Sequence, residues 1–300
     1  MTAAATTSAG CKQKDILQAE EEILPGYTPI AVSLKSPRSR QFLLNTPLGE
    51  FQVEKTIGQG SYGKVKLMRS ALTKEQFAVK IIKRYPPHKH HRQHAEYRKA
   101  KTLDRRIHPH IVELHDFRVT DTHFYLFYAY VCGTTLAERV GHGGLEENDA
   151  RSVFKAVAET IHFCHQYSVI HRDIKLENSA LDGRVKLIDF GLANFFDGHS
   201  LMDTFCGSLP YTAPEILRGD AYVGPEVDVW SLGVLLYVMV TGHFPFEDPA
   251  QPRNYDRIMA GDFSLYGSMS RPLQELLVRM LEPSPQRRIS MLDVLQNVWL

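Results

Sequence analysis

Three short groups of residues carry the chemistry of this chain. HRDIKLEN occupies 171–178, DFG 189–191 and APE 213–215, in that order and separated by loop-sized gaps. Asp173 suits the task of orienting a hydroxyl and accepting its proton, while Asn178 and Asp189 offer the oxygen donors that a hard cation such as magnesium prefers. A phosphate-bearing ligand needs a cradle upstream, and GQGSYGKV runs from Gly58 to Val65. Gly58, Gly60 and Gly63 lack side chains, so backbone N–H groups there can approach phosphate oxygens closely. Lys80 ends FAVK within an apolar alternation (Phe77, Val79, Ile81) that reads as a strand, and a lysine fixed on a strand is a point charge for phosphates. Each group alone is weak evidence, since HRD and DFG also occur in ordinary polar turns. A lone GxGxxG also opens dinucleotide-binding turns, but VKLMRS continues as a strand here, which argues against that reading. In combination and in this order, the groups point to phosphoryl transfer onto a hydroxyl.

The elements that must hold these residues follow from periodicity. Residues 51–86 alternate as three strands, 88–106 are charged and helix-permissive, HPHIVEL returns to strand, and HFYLFYAYV (123–131) reads as a strand running into a hinge. Over 147–167, Val153, Ala156, Val157, Thr160, Ile161 and Cys164 recur at three- and four-residue intervals, the pattern of an amphipathic helix. Glu147, Asn148 and Asp149 favour its start. A hairpin is expected around Asp182-Gly183, and helices between Gly and Pro loops thereafter. Residues 1–47 are poor in periodicity and punctuated by Pro25, Pro29, Pro37 and Pro47, so they are expected to be mostly disordered. Within them KSPRSR (35–40) reads as a solvated basic linker or as a phosphosite at Ser36.

Composition bounds the possibilities. The 300 residues are 43% hydrophobic with a formal net charge of +1, which gives no sign of a nucleic-acid or membrane partner. Cys11, Cys132, Cys164 and Cys206 are scattered without CxxC spacing, so a reducing compartment, cytoplasmic and/or nuclear, is expected. The N-terminus has neither the apolar core of a signal peptide nor the glycine after Met1 that myristoylation requires. The most apolar run, 227–240, is too short to span a bilayer and contains Asp228; it is expected as a buried central helix.

Over about residues 48–300 these motifs resemble those of eukaryotic protein kinases. CGSLPYTAPE and the ending PQRRIS…NVWL are most similar to the SNF1/AMPK-related and calmodulin-kinase-like serine/threonine kinases. The resemblance implies an α+β, bilobal fold. A disordered extension (1–47) precedes a small β-rich N-lobe with one regulatory helix and the hinge (48–131), and a mostly helical C-lobe (132–300) follows. It implies ATP and Mg2+ as cofactors and a Ser or Thr hydroxyl of a protein substrate as acceptor. Asp173 would orient that hydroxyl and Lys175 neutralise charge on the moving phosphate, with Asn178 and Asp189 holding magnesium. Gly58, Gly60, Gly63, Val65, Ala78, Lys80 and the backbone of Ala129 and Val131 would hold the nucleotide, with Tyr128 a bulky residue behind it. His171 and Phe190 would pack with Leu114 and Asp228 in a stack linking the lobes. Thr204 would be the activating phosphosite read by Arg172, Ser208 would contact Asp173 and Lys175, and Glu215 with Arg288 would form a buried ion pair.

The pattern also departs from the family. The regulatory-helix glutamate that pairs with the strand lysine is counted at Lys99, in a register that puts Leu103 at an apolar spine position. Lys99 cannot pair with Lys80. Glu96, one helical turn earlier, is the favoured substitute; a relocated partner or weak activity are the alternatives. Acids that select upstream arginine are replaced by Thr135, near the start of the large lobe, and by Val238, expected after the central helix. Only Glu177 remains, which implies a weaker arginine preference. HKHHRQH (88–94) places His90 and His94 at metal-compatible spacing, but no cysteine or acid cluster completes a site and a solvated basic helix is the preferred reading. The expectation is a monomeric protein serine/threonine kinase activated by an upstream kinase, with a pseudokinase as the second reading because of Lys99.

Overall fold

Alternating and continuous apolar runs in the first part of the chain build one antiparallel sheet. The computed structural model describes residues 41–46, 49–60, 63–83, 108–120, 122–197, 201–247 and 255–300. Strands β1 (Gln41–Thr46), β2 (Gly49–Gly60), β3 (Gly63–Ser70), β4 (Gln76–Lys83), β5 (Leu114–Val119) and β6 (His123–Ala129) lie in the order β1-β2-β3-β4-β6-β5. β1 falls inside the stretch expected to be disordered. Its backbone groups find partners along the β2 edge, with Phe42 opposite Phe51 and Thr46 opposite Gly49, and such an edge offers pairing regardless of hydrophobic periodicity. The strand expected from HPHIVEL starts late: residues 109–110 form a turn, and β5 begins at Leu114.

Register decides what faces the cleft. Val65 pairs with Lys80 and Lys80 with Leu126, so these three share a face. Ile82, Val112, Val119, Phe124, Leu126 and Tyr128 form one apolar cluster, and Phe51, Met68, Phe77, Val79, Tyr125 and Phe127 form another. Alternate residues of β6 enter each cluster, which explains why its sequence is apolar throughout. Gly63 is required by close approach: a Cβ there would sit 2.3 Å from the Ile81 carbonyl oxygen.

The larger lobe is mostly helical. Helix α1 (Leu136–Val140) starts with a capping box in which Thr135 and Glu138 satisfy each other's backbone N–H groups. Helix α2 (Glu147–Gln166) buries Val157, Thr160, Ile161 and Cys164 of the predicted stripe together with Ala150, Phe154 and Ala158, while the predicted Val153 and Ala156 are half-buried at its margin. Strands β7 (Thr134–Thr135), β9 (Ser179–Asp182) and β10 (Arg184–Leu187) make a small sheet, with Gly183 in the left-handed conformation (φ 67°) at the β9–β10 hairpin. Strand β8 (Val169–Ile170) pairs with β11 (Asn194–Phe195). After helix α3 (Pro214–Arg218), helix α4 (Pro225–Thr241) is buried at every position from Val227 to Met239. This is the apolar run of the sequence, and its hydrophobicity on all sides matches a central helix surrounded by protein. Val238 lies within α4 and is buried; the expected place after that helix is corrected. Helices α5 (Tyr255–Ala260), α6 (Arg271–Met280) and α7 (Met291–Leu295) complete the described part.

Two hydrogen-bond clusters fix the frame. The Glu147 carboxylate, at the start of α2, accepts from the Ser270 N–H and hydroxyl and from the Trp299 indole N–H. Between the lobes, the Leu187 N–H donates to the His110 carbonyl at 2.8 Å and the Val112 N–H to the Leu187 carbonyl at 2.9 Å. Residues 110–112 are thereby stitched to β10.

Candidate active site

The β8 strand delivers the chain to residues 171–178, whose backbone is held from below by one carboxylate. Asp228, fully buried on α4, accepts from the His171 N–H and the Arg172 N–H at 2.8 Å each, and from His165 Nε2 on α2 at 2.8 Å. Arg172 has φ 63°, a conformation that a non-glycine residue keeps only when its surroundings enforce it. Burial opposes ionisation of Asp228, but the bonds from His165 and the His171 N–H outweigh it and keep its carboxyl below the usual range. His171 is fully buried against Phe190 (ring centroids 4.9 Å), and its Nδ1 accepts from the Asp173 N–H. Burial pushes its pKa down, so the imidazole is neutral at neutral pH.

Asp173 stands at the centre of a closed set of polar contacts. Its Oδ1 accepts from the Ser208 hydroxyl at 2.8 Å, and its Oδ2 accepts from Lys175 Nζ and Asn178 Nδ2 at 2.9 Å each. Lys175 Nζ also donates to Ser208 Oγ at 2.8 Å. A hydroxyl therefore already sits between the carboxylate and the ammonium, at hydrogen-bonding distance from both. The Asn178 amide nitrogen is spent on Asp173, which leaves its Oδ1 as the outward donor atom. The Ile188 N–H donates to the Asn178 carbonyl, which brings β9 alongside the approach to Asp189.

Lys80 reaches across the cleft from β4, and its Nζ lies 2.8 Å from Asp189 Oδ1. Burial works against the charge on Asp189, but Lys80 and the Gly191 N–H hold its carboxyl below the usual range. Gly191 leaves room for this pair: a Cβ there would stand 2.7 Å from Lys80 Nζ and 3.0 Å from Asp189 Oδ1, so one of those side-chain ends would have to shift. The structure thus brings Lys80 to Asp189 and Lys175 and Asn178 to Asp173, with the two groups joined by the Ile188–Asn178 backbone bond.

The remaining expected residues are distributed around it. Gly58, Gly60 and Gly63 lie on the β2–β3 hairpin, with Gly58 opposite Val65 and Gly60 opposite Gly63. Ala78 pairs with Tyr128, and the Ala129 N–H is occupied by the Glu113 carbonyl at 2.9 Å. Of the Ala129 backbone groups only the carbonyl can serve a nucleotide base. Glu96, Lys99, Leu103 and the 88–94 histidine run lie outside the described residues. Leu114 packs in the same apolar cluster as Tyr128.

Some contributors carry no signal in the sequence. Tyr222 receives Arg172 Nη1 at 3.0 Å and donates to the Thr204 carbonyl at 3.1 Å. His165 supports Asp228 from another helix. Only topology brings either of them to the site. Glu215 and Arg288 do form a buried, two-pronged pair at 2.7 and 2.9 Å, which ties the end of the 189–215 segment to the C-terminal part of the lobe.

Comparison with known proteins agrees with this geometry. Residues 51–300 match the family described as the protein kinase domain. The chain is 39% identical over 261 residues to a probable serine/threonine-protein kinase KIN1 homolog of Enterocytozoon bieneusi, covering 86% of this chain and 43% of that one. It is 37% identical over 256 residues to a serine/threonine-protein kinase SIK3 homolog of Danio rerio (84% and 22% covered). With protein kinase kin1 of Schizosaccharomyces pombe it shares 35% over 287 residues (89% and 32% covered). The chain spans less than half the length of each of these relatives.

Proposed function

We propose that this chain, which belongs to the protein kinase family, is a serine/threonine kinase that transfers the γ-phosphoryl group of ATP to Ser or Thr hydroxyls of protein substrates. The observation that carries the reading is the Ser208 hydroxyl, bonded at once to Asp173 and Lys175. It marks a place where an alcohol oxygen is compatible with a carboxylate on one side and a cation on the other. In the reaction the acceptor oxygen bonds to the γ-phosphorus, the bond from that phosphorus to the β–γ bridging oxygen breaks, and ADP leaves. The hydroxyl proton passes to the Asp173 carboxylate. Lys175 offsets charge on the moving phosphoryl oxygens, and Lys80 serves the phosphates that remain on the nucleotide. Gly58, Gly60 and Gly63 offer backbone N–H groups, Val65 and Ala78 flank the base, and the Ala129 carbonyl and Val131 backbone bond its edge.

The donor set fits magnesium. The Asn178 Oδ1 atom and the ionised Asp189 carboxylate are oxygen ligands, with the rest of a hard cation's shell left to phosphate and water. When bound, magnesium supplies the positive charge that balances the phosphate oxygens. Thr204 is the proposed activating phosphosite, the work of an upstream kinase, because Arg172 reaches its backbone through Tyr222. A reducing compartment, cytoplasm and/or nucleus, suits the free thiols of Cys132, Cys164 and Cys206, and no helix among the described residues is long and apolar enough to cross a membrane. A monomer is proposed. The test uses purified protein, radiolabelled ATP and a generic protein substrate, with Asp173→Ala as control. Incorporation is expected in the wild type and loss of nearly all of it in the variant; equal signals would overturn the enzyme and leave a nucleotide-binding scaffold.

A further inference from the structure

We infer that Tyr222 is a positioning residue that holds the 189–215 segment in its working register before Thr204 carries a phosphate. The inference rests on the kinase reading above. Arg172 precedes Asp173, and its guanidinium looks toward the segment, not toward the cleft. Its Nε donates to the Leu192 carbonyl at 2.8 Å, near the start of the segment, and its Nη1 donates to the Tyr222 hydroxyl at 3.0 Å. That hydroxyl donates its own hydrogen bond to the Thr204 carbonyl at 3.1 Å, in the segment's second half. The Cys206 thiol lies beside it. The Tyr222 backbone is fixed by two further bonds: Met202 N–H to Tyr222 carbonyl at 2.8 Å, and Tyr222 N–H to Met202 carbonyl at 2.9 Å.

Arg172 therefore holds the start of the segment directly, and Tyr222 connects the second half to it. The chain of bonds runs Leu192, Arg172, Tyr222, Thr204. Tyr222 is only 6% exposed, so water cannot readily take over a lost bond. None of these contacts requires a phosphate. Arg172 uses Nε and Nη1 here, and a guanidinium has five N–H donors, so Nη2 can take up a Thr204 phosphate as an added partner. Tyr222 would thus sustain the basal state, and a phosphate on Thr204 would make it dispensable.

The test compares Tyr222→Phe with the wild type in two backgrounds, Thr204→Ala and Thr204-phosphorylated protein. The aromatic ring is retained and only the hydroxyl is removed. In Thr204→Ala, loss of a bridging hydroxyl that serves two bonds is expected to lower kcat for peptide phosphorylation about tenfold with little change in the KM for ATP. Hydrogen exchange should accelerate over 201–206 and stay unchanged over α4. In the phosphorylated protein the same substitution should cost about twofold or less. Equal losses in both backgrounds, or no loss in Thr204→Ala, would overturn the role. If phosphorylation itself does not raise activity, the Thr204 reading fails separately, and the exchange and kcat effects in Thr204→Ala still decide the role of Tyr222. Should Tyr222→Phe fail to fold, hydrogen exchange over 201–206 in the unphosphorylated wild type decides: protection well above the rate of an unstructured chain is expected, and exchange at that unprotected rate would refute the role.

Discussion

The Glu215–Arg288 pair makes an asymmetric prediction. The side chains of Arg288 and Glu215 are 0% and 3% exposed, with the two carboxylate oxygens at 2.7 and 2.9 Å from the two guanidinium nitrogens. Arg288 has other acceptors: the Glu282 carbonyl at 2.9 Å, the Glu226 carbonyl at 2.7 Å, and the face of Trp230 at 5.1 Å. No bond other than those from Arg288 reaches the Glu215 carboxylate among the described residues. Breaking a buried pair by removing one partner costs about 3–5 kcal/mol. Arg288→Met strands a carboxylate with nothing to offset its desolvation, so it should fall at the upper end. Glu215→Gln leaves a cation that still has carbonyls, and should fall at or below about 3 kcal/mol. Removing both in Glu215→Leu/Arg288→Met should cost less than Arg288→Met alone, because no charge is left buried. The assay is urea unfolding followed by tryptophan fluorescence; the only tryptophans, Trp230 and Trp299, both sit in the large lobe. At an m-value of about 3 kcal/mol/M, a cost of about 4–5 kcal/mol for Arg288→Met should lower the midpoint by about 1.3–1.7 M. A cost for Glu215→Gln equal to or above that of Arg288→Met would refute the reasoning.

Three further expectations follow from the site. His171 has a depressed folded pKa, so the stability its neutral form contributes is full above the unfolded value of about 6.5 and is lost as pH falls through the folded one; replacing it as His171→Tyr should flatten stability against pH below about 6.5 by up to about 1.4 kcal/mol per pH unit, read by unfolding in a pH series. Gly191→Ala would put a methyl 2.7 Å from Lys80 Nζ, and should reduce kcat/KM for ATP at least about tenfold while the unfolding midpoint moves little; an unchanged kcat/KM would contradict the close-approach reading. With Thr135 committed to a helix cap and Val238 buried in α4, a peptide library should show weak selection for upstream arginine. Strong selection in the wild type would refute this, whereas Thr135→Glu should raise it by up to about fivefold.

Much of the site was legible because its chemistry is local. Asp173, Lys175 and Asn178 fall within six residues of one loop, so their meeting follows from spacing, and Asp189 with Gly191 forms a second compact unit. Lys80 and its strand were readable from alternation, as was the central helix from a run too apolar for any exposed face. The Ser208 contacts and the Glu215–Arg288 pair were legible only through the resemblance, and the other long-range polar partners were not legible. Tyr222 and His165 are ordinary in the sequence and reach the site only through pairing and helix packing. Val238 was expected after the central helix although it falls inside the 227–240 run read as that helix, whose end is set by Gly242 in the left-handed conformation. β1 escaped notice because an edge strand borrows its order from a neighbour. The contest between Glu96 and Lys99 falls outside the described residues.

The bonds between residues 110–112 and Leu187 make that point a fulcrum. Asp189 lies two residues beyond it, whereas β2 and β3, which carry Gly58, Gly60 and Gly63, are separated from β5 by β4 and β6. A rocking of the upper lobe would sweep the glycines through a long arc and scarcely displace Asp189. Opening to release a spent nucleotide would thus part Lys80, on β4, from Asp189, while the Ile188–Asn178 backbone bond keeps Asp189 near Asn178 for the next turnover.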